Sequence, residues 1–133
     1  MSNCLAVTFD LREDWKSIGV FCSSSHRQYL IPGAIINETP PEEFYNLPFL
    51  LAYALLDQVL SEWRDQKLFD SSWELGAKME ASKKVILWHD YGLVFNGKEA
   101  RNDLAHRAKL LTKEDCLLYI EAIRKEFEFW SLL

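Results

Sequence analysis

The chain has 133 residues, 49% of them hydrophobic and 26% charged, which is the size and composition of one globular domain. This length excludes a multidomain enzyme and allows a core that needs no disulfide or metal ion for stability. The aromatic content of 14% excludes a disordered chain, and the longest apolar run, residues 49–56, is too short to cross a bilayer. The first ten residues lack the features of a signal peptide, so we expect a cytoplasmic protein without membrane contact.

The net charge of −5 argues against a nucleic-acid binder that works by bulk electrostatics, and we expect no DNA partner. The excess acid is confined to residues 1–97, with eight basic and thirteen acidic side chains, whereas residues 98–133 hold seven of each. Residues 98–113 carry five basic side chains against two acidic ones, a local charge of +3. On charge alone, the ordinary explanation of this segment is a solvated helix face.

The three cysteines, Cys4, Cys22 and Cys116, are odd in number and show none of the spacings of a metal site. We therefore predict reduced, buried thiols rather than disulfides or zinc ligands, as in other cytoplasmic proteins. The sequence also contains no Gly-rich phosphate loop and no nucleophile elbow. We expect no cofactor and no metal ion.

Residues 1–36 differ in pattern from the rest of the chain. Apolar residues alternate over 5–11, and short apolar runs follow at 18–22 and 29–36. This pattern predicts two or three short strands, one turn of which is the dipeptide Pro32-Gly33. We interpret residues 1–36 as a β-like N-terminal extension.

Residues 37–133 have helical periodicity and form the main domain in this interpretation. Thr39 is predicted to cap a first turn, and Pro48 to break the helix or restart it. From there, apolar residues at spacings of three and four predict a long central helix that ends at about Leu68.

Three further helices are predicted after this central one. The fold class is therefore mainly α, an antiparallel bundle of about four helices. The last helix carries more aromatic residues than one inward stripe needs, which suggests that Phe129 or Trp130 contributes to a dimer or partner surface. The first of the three further helices begins at a capping box of Ser71 and Glu74 and ends at about Trp88. A loop at Gly92 and Asn96-Gly97 precedes the second, from about Lys98 to Leu110, and a cap at Thr112 begins the third.

Three histidines are the candidates for proton transfer. His26 lies in a polar turn, and the ordinary explanation is an exposed loop residue. His89 lies at a predicted helix end, and the ordinary explanation is a helix cap. His106 ends the sequence RNDLAH. In a helix, Asn102 and His106 are one turn apart on the same face, whereas Arg101 lies about 140° around the axis from His106.

An arginine beside an imidazole suits phosphodiester chemistry without a metal ion. The guanidinium offers a fixed fork of donors to a phosphate and to the charge that builds on it, and the imidazole transfers a proton near neutral pH. In RNA the adjacent 2′-hydroxyl is a nucleophile already in place. Asn102, one turn from His106, is placed to orient the imidazole or to hold a phosphate oxygen.

The sequence RNDLAH resembles the motif of the HEPN superfamily (higher eukaryotes and prokaryotes nucleotide-binding domains). That motif is an Arg, four to six residues and a His, commonly with a polar residue such as Asn directly after the Arg. The resemblance covers about residues 42–130 and places the motif before a strongly amphipathic last helix, as in HEPN domains.

The resemblance implies a small α-helical domain that forms a homodimer, with the two motifs facing each other across a composite cleft. Many members are metal-independent endoribonucleases in toxin–antitoxin, abortive-infection, CRISPR and RNA-processing systems. Carried over to this chain, Arg101 and His106 are the catalytic pair and Asn102 supports them. Some toxins of the family carry a Tyr two residues after the His as a target of inactivating modification, and this position is Ala108 here.

Electrostatics adds three RNA-contacting candidates that are not part of the family motif: Lys98, Arg107 and Lys109. The leading hypothesis is a HEPN-type endoribonuclease with RNA as its substrate. Such an enzyme would act as a toxin or in phage defence, with an antitoxin or another protein as its partner. An alternative is a catalytically silent helical domain that binds a nucleotide or a protein, in which Arg101 and His106 make buried hydrogen bonds. A third is an unrelated bundle in which the motif is coincidental.

Overall fold

The computed structural model describes residues 6–23, 27–38 and 41–133. Their architecture is a mainly α-helical bundle, which confirms the predicted fold class. A two-stranded antiparallel hairpin and one 3-10 turn complete the described structure. The elements in chain order are α1 (Leu11–Ser23), β1 (Arg27–Ile31), β2 (Ala34–Glu38), the 3-10 turn (Glu42–Tyr45), α2 (Asn46–Asp65), α3 (Leu75–Ser82), α4 (Tyr91–Arg107) and α5 (Lys113–Phe129).

Helix α2 is the central helix, as predicted, because it contacts each of the other four. Its inward residues recur at spacings of three and four and are fully buried. Of the two outcomes predicted at Pro48, a break or a restart, the structure has the restart, because α2 begins at Asn46 directly after the 3-10 turn. Pro48 is the third residue of α2, where a backbone N–H has no intrahelical acceptor, so the missing donor costs nothing. The buried side chains of this face are Phe49, Ala52, Tyr53, Leu56, Val59, Leu60 and Trp63.

The predicted β-like extension of residues 1–36 is not supported, because Leu11–Ser23 forms helix α1. Leu11 and Ile18 are buried at a spacing of seven residues, two helical turns, and α1 packs on α2. The alternating pattern of residues 5–11 favours a strand, but it is short, and the burial of Leu11 and Ile18 against α2 favours the helix. The only extended segment in the described residues is 27–38, where β1 and β2 pair around Pro32-Gly33 and Gly33 has a φ of 85°.

Boundaries between α3 and α5 also differ from those predicted. The Ser71–Glu74 capping box does not form, since Glu74 directly precedes α3 and its side chain caps nothing. Helix α3 ends at Ser82, before the predicted Trp88. The cap at Thr112 is confirmed, because the Thr112 hydroxyl accepts a hydrogen bond of 3.2 Å from the Asp115 N–H.

Helix α4 contains the residues that were predicted to form a loop, Gly92 and Asn96-Gly97. It begins at Tyr91 because the Asp90 carboxylate accepts a hydrogen bond of 3.2 Å from the Leu93 N–H and caps the first turn. The RNDLAH motif therefore lies in the last two turns of a 17-residue helix. Residues Thr39 and Pro40 of the predicted first turn lie outside the described residues, as do Cys4 and His26.

Aromatic side chains close the end of the bundle opposite the motif. The Trp130 ring lies edge-on to Trp63 and Trp88, with centroid distances of 5.1 and 4.8 Å, and its indole N–H donates to the Leu87 carbonyl. Trp130 is therefore a core residue, whereas Phe129 is 49% exposed. Of the two residues suggested for a partner surface, only Phe129 is accessible.

Candidate functional site

The N-terminal end of α4 is fixed by a buried carboxylate of α5. Glu126 is fully buried, and its oxygens accept hydrogen bonds from the backbone N–H groups of His89 and Asp90. Burial raises the pKa of Glu126 against the opposing effect of these two donors. This contact anchors the start of the helix that carries the motif.

The middle of α4 packs closely against α2 and α5 at Gly97. A Cβ atom at this position would lie 2.7 Å from Cδ1 of Tyr119 and would overlap the Tyr53 hydroxyl. That hydroxyl donates a buried hydrogen bond of 2.7 Å to the Val94 carbonyl. Only glycine allows this approach, which explains why a residue that disfavours helices lies inside α4.

The C-terminal end of α4 is held by Asn46, at the start of α2. Helix α4 ends at Arg107. The next residue, Ala108, has a left-handed φ of 52°, and the Ala108 N–H donates to the Leu104 carbonyl. In the loop that follows, the Leu111 N–H donates to the Asn46 side chain (3.0 Å), and the Asn46 amide donates to the Leu111 carbonyl (3.1 Å). Asn46 is buried, so this reciprocal pair fixes the loop directly after the motif.

We expect the Asn46→Ala substitution to lower the free energy of unfolding by about 2 kcal/mol, because it leaves the Leu111 N–H and carbonyl without their partner. Asn46→Asp retains the acceptor for the Leu111 N–H but turns a buried carboxylate oxygen toward the Leu111 carbonyl, so a loss at least as large is expected. Chemical denaturation of the three proteins measures both values. An alanine variant as stable as the wild type would show that the loop is held by other contacts.

The three motif residues lie on two faces at this end of α4. Arg101 is half-buried on the inward face, one turn after Gly97, whereas Asn102 is half-buried and His106 is exposed in the last turn. On a regular helix, Arg101 and His106 are separated by about 140° and about 7.5 Å along the axis. Asn102 and His106 are one turn apart, as predicted.

None of these three side chains forms a hydrogen bond or an ion pair within the described residues. By contrast, Asn46 and Glu126 are buried and bonded to backbone groups. Arg101 acts on its surroundings through its charge: burial and Tyr119 raise the pKa of Tyr53, and the Arg101 guanidinium lowers it. Neither Arg101 nor His106 makes, within the described residues, the buried hydrogen bonds that the silent-domain alternative predicts.

The RNA-contacting candidates also differ in placement. Arg107 and Lys109 are exposed beside His106, at the C-terminal end of α4. Lys98 is buried, its ammonium 3.2 Å from a carboxylate oxygen of Glu99 and 4.1 Å from the centroid of the Phe95 ring. Lys98 therefore packs within the fold, whereas Arg107 and Lys109 are accessible to a ligand.

Other polar groups of the described chain have structural partners or stand apart from the motif. Lys78 of α3 is buried, pairs with Asp57 of α2 and donates a hydrogen bond of 2.6 Å to the Ser61 hydroxyl. These contacts link α2 to α3. His89 is exposed beside the Phe129 ring. Burial raises the pKa of the Cys116 thiol to about 11. The described residues contain no group of three His, Cys, Asp or Glu side chains arranged to hold a metal ion.

Two findings concern the chain as a whole. Among the described residues, no helix combines the length and the apolar character of a membrane span. Comparisons with protein-family models, with curated proteins and with solved structures found no match. The resemblance to HEPN domains therefore stays a prediction from the motif and its place in the chain.

Proposed function

We propose that this chain is a metal-independent endoribonuclease of the HEPN type, with Arg101 and His106 as its catalytic pair. The observation that carries the proposal is that Arg101, Asn102 and His106 have no bonding role within the described fold, although they form the most polar part of α4. His106 is exposed in the last turn of α4, and Arg101 and Asn102 are half-buried in the turn before it. Polar groups without internal partners at such a position are available to a substrate.

The chemistry follows from the two side chains. One imidazole takes the proton of the ribose 2′-hydroxyl, whose oxygen bonds to the adjacent phosphorus, and the bond from phosphorus to the 5′-oxygen breaks. That departing oxygen receives a proton from an acid, in this arrangement a second imidazole or water. The Arg101 guanidinium binds the non-bridging oxygens and stabilises the charge that they gain.

A homodimer completes the proposed site, because the separation of Arg101 and His106 around α4 favours a cleft to which two copies contribute. Leu47 and Leu51, one turn apart on α2, are 53% and 41% exposed. They lie near Asn46, and Asn46 binds the loop that follows the motif. This apolar surface beside the motif suits a second copy of the chain.

RNA binding in the proposal relies on local charge rather than net charge. Arg107 and Lys109 flank His106, and each phosphate neutralised by such a side chain releases counterions. A toxin or phage-defence role, with an antitoxin or another protein as regulator, is the biological form of this activity that the resemblance suggests. Because Ala108 replaces the modified Tyr of some family toxins, regulation through that position is not part of the proposal.

The proposal is tested by incubating a mixed RNA pool with the purified protein in the presence of a chelator. Wild type is expected to cleave, and His106→Ala and Arg101→Ala are expected to lose on the order of 100-fold or more in rate. His89→Ala is the matched control, an exposed histidine about 25 Å away along α4 that is expected to cleave like the wild type.

Folding of each variant is checked by circular dichroism. A folded wild type that is inert without any co-expressed partner would contradict the nuclease and direct the search to a bound nucleotide or protein. Equal activity of His106→Ala and wild type would remove His106 from the reaction.

A further inference from the structure

Tyr119 lies on the inward face of α5, directly against the helix that carries the motif. Its ring packs beside Gly97, where a Cβ atom on residue 97 would be only 2.7 Å away, and its centroid is 6.0 Å from that of Phe49. Both contacts fix the ring between α2 and α4. The side chain is half-buried, so part of it remains accessible.

The Tyr119 hydroxyl has no hydrogen-bond partner in the described part of the chain. The neighbouring Tyr53 differs, since its hydroxyl donates to the Val94 carbonyl. Burial raises the pKa of Tyr119, and the Asp115 carboxylate raises it further. The phenol therefore stays protonated over the whole working range of pH and keeps its O–H as a donor.

The packing of α4 and α5 places Tyr119 beside Gly97, one helical turn before Arg101 on α4. The two helices are joined by a short loop and packed side by side, so they run antiparallel. Gly97 of α4 lies beside Tyr119 of α5. Moving one turn along each antiparallel helix from this contact places Arg101 beside the turn of α5 that contains Asp115. Side chains of a helix lean toward its N-terminus, which brings the Tyr119 hydroxyl toward that turn.

We propose that Tyr119 is a further substrate-binding residue of the nuclease site, whose hydroxyl donates a hydrogen bond to a non-bridging oxygen of the phosphate held by Arg101. This inference rests on the proposed function. The hydrogen bond from this neutral donor to the phosphate strengthens as the phosphate oxygens gain charge. It therefore stabilises mainly the transition state.

The test is the Tyr119→Phe variant, which removes the hydroxyl and nothing else. We expect kcat for RNA cleavage to fall roughly 10- to 100-fold, KM to change little, and the melting temperature to stay at the wild-type value, because no bond of the described fold is lost. Tyr91→Phe is the matched control. Tyr91 begins α4, ten residues before Arg101, and its substitution is expected to leave kcat unchanged.

Each outcome separates the two proposals. If wild type cleaves RNA and Tyr119→Phe has the same kcat, this inference is overturned and the proposed function stands. A lower melting temperature with unchanged kcat assigns Tyr119 a structural role and also overturns it. An inert wild type overturns both, and an equal loss of kcat in Tyr91→Phe shows that the effect is not specific to Tyr119.

Discussion

Gly97→Ala is expected to lower the free energy of unfolding by about 3 kcal/mol or more, the cost of overpacking together with a broken buried hydrogen bond. The added methyl group would collide with the Tyr53 hydroxyl and with the Tyr119 ring. Relief requires α4 to move away from α2 and α5 or the tyrosines to leave their positions. Movement of α4 displaces Arg101, one turn later on the same face, and movement of Tyr119 displaces its hydroxyl, so cleavage is expected to fall as well.

Gly92→Ala is the control, the same substitution in the same helix. No neighbouring atom lies within 4 Å of a Cβ at this position, so alanine gains helix propensity and stabilises by about 0.5–1 kcal/mol. Opposite signs for the two variants in chemical denaturation are the expected result. A Gly97→Ala variant as stable as Gly92→Ala would show that α4 does not pack this closely.

Glu126→Ala is expected to lower the free energy of unfolding by about 3 kcal/mol. The substitution removes the acceptor for two backbone N–H groups and leaves a cavity in a fully buried position. Glu126→Gln retains the shape and one acceptor oxygen, so a smaller loss is expected. Thermal or chemical unfolding of the three proteins measures the series, and an unchanged alanine variant would contradict the anchoring role.

The pH dependence of this site has a definite sign. Burial is the larger influence and raises the pKa of Glu126 in the folded state. Such a carboxyl contributes stability that is fully present below its unfolded-state pKa, about 4.3, and is lost as pH rises through the folded-state pKa. The stability of wild type relative to Glu126→Gln is therefore expected to decline as pH rises from about 4 and then to level off. A difference that grows with pH would contradict this assignment.

Helical periodicity predicts the central and last helices because their apolar residues repeat at the spacing of a buried stripe. Leu56 and Val59 of α2 are buried accordingly, as is Ile123 of α5. The sequence also suffices for the Thr112 cap, which depends only on residues three apart. Local patterns of this kind need no knowledge of the neighbouring elements.

Other features depend on contacts between distant residues and were not predictable. The glycines of α4 predict a loop on propensity alone, but Gly97 is helical because Tyr53 and Tyr119 occupy the space beside it. A glutamate in an amphipathic helix predicts solvent exposure. Glu126 is nevertheless buried, and its carboxylate accepts hydrogen bonds from the backbone N–H groups of His89 and Asp90, 37 and 36 positions earlier in the chain. Asn46 gives no signal in the sequence beyond a polar residue before an apolar run.

The candidate site was predictable in part. The helical spacing places Asn102 and His106 on one face and Arg101 on another, and the structure has this arrangement. Local charge predicts Lys98 as an RNA contact together with Arg107 and Lys109, but Lys98 lies against α3, with its ammonium 3.2 Å from the position of a Cβ on Gly76. Charge patterns alone do not distinguish an exposed lysine from a buried one whose neighbours lie elsewhere in the chain.

The measurement that tests the nuclease most directly is mass spectrometry of the product ends of a defined RNA, incubated with wild type and with His106→Ala in a chelator. Attack by the 2′-hydroxyl predicts a 2′,3′-cyclic or 3′-phosphate on one product and a 5′-hydroxyl on the other. It also predicts no cleavage where a 2′-deoxynucleotide replaces the attacking one, and cleavage by His106→Ala that is slower on the order of 100-fold or more. Products with 3′-hydroxyl and 5′-phosphate ends, or cleavage at the 2′-deoxy position, would contradict the assignment of Arg101 and His106.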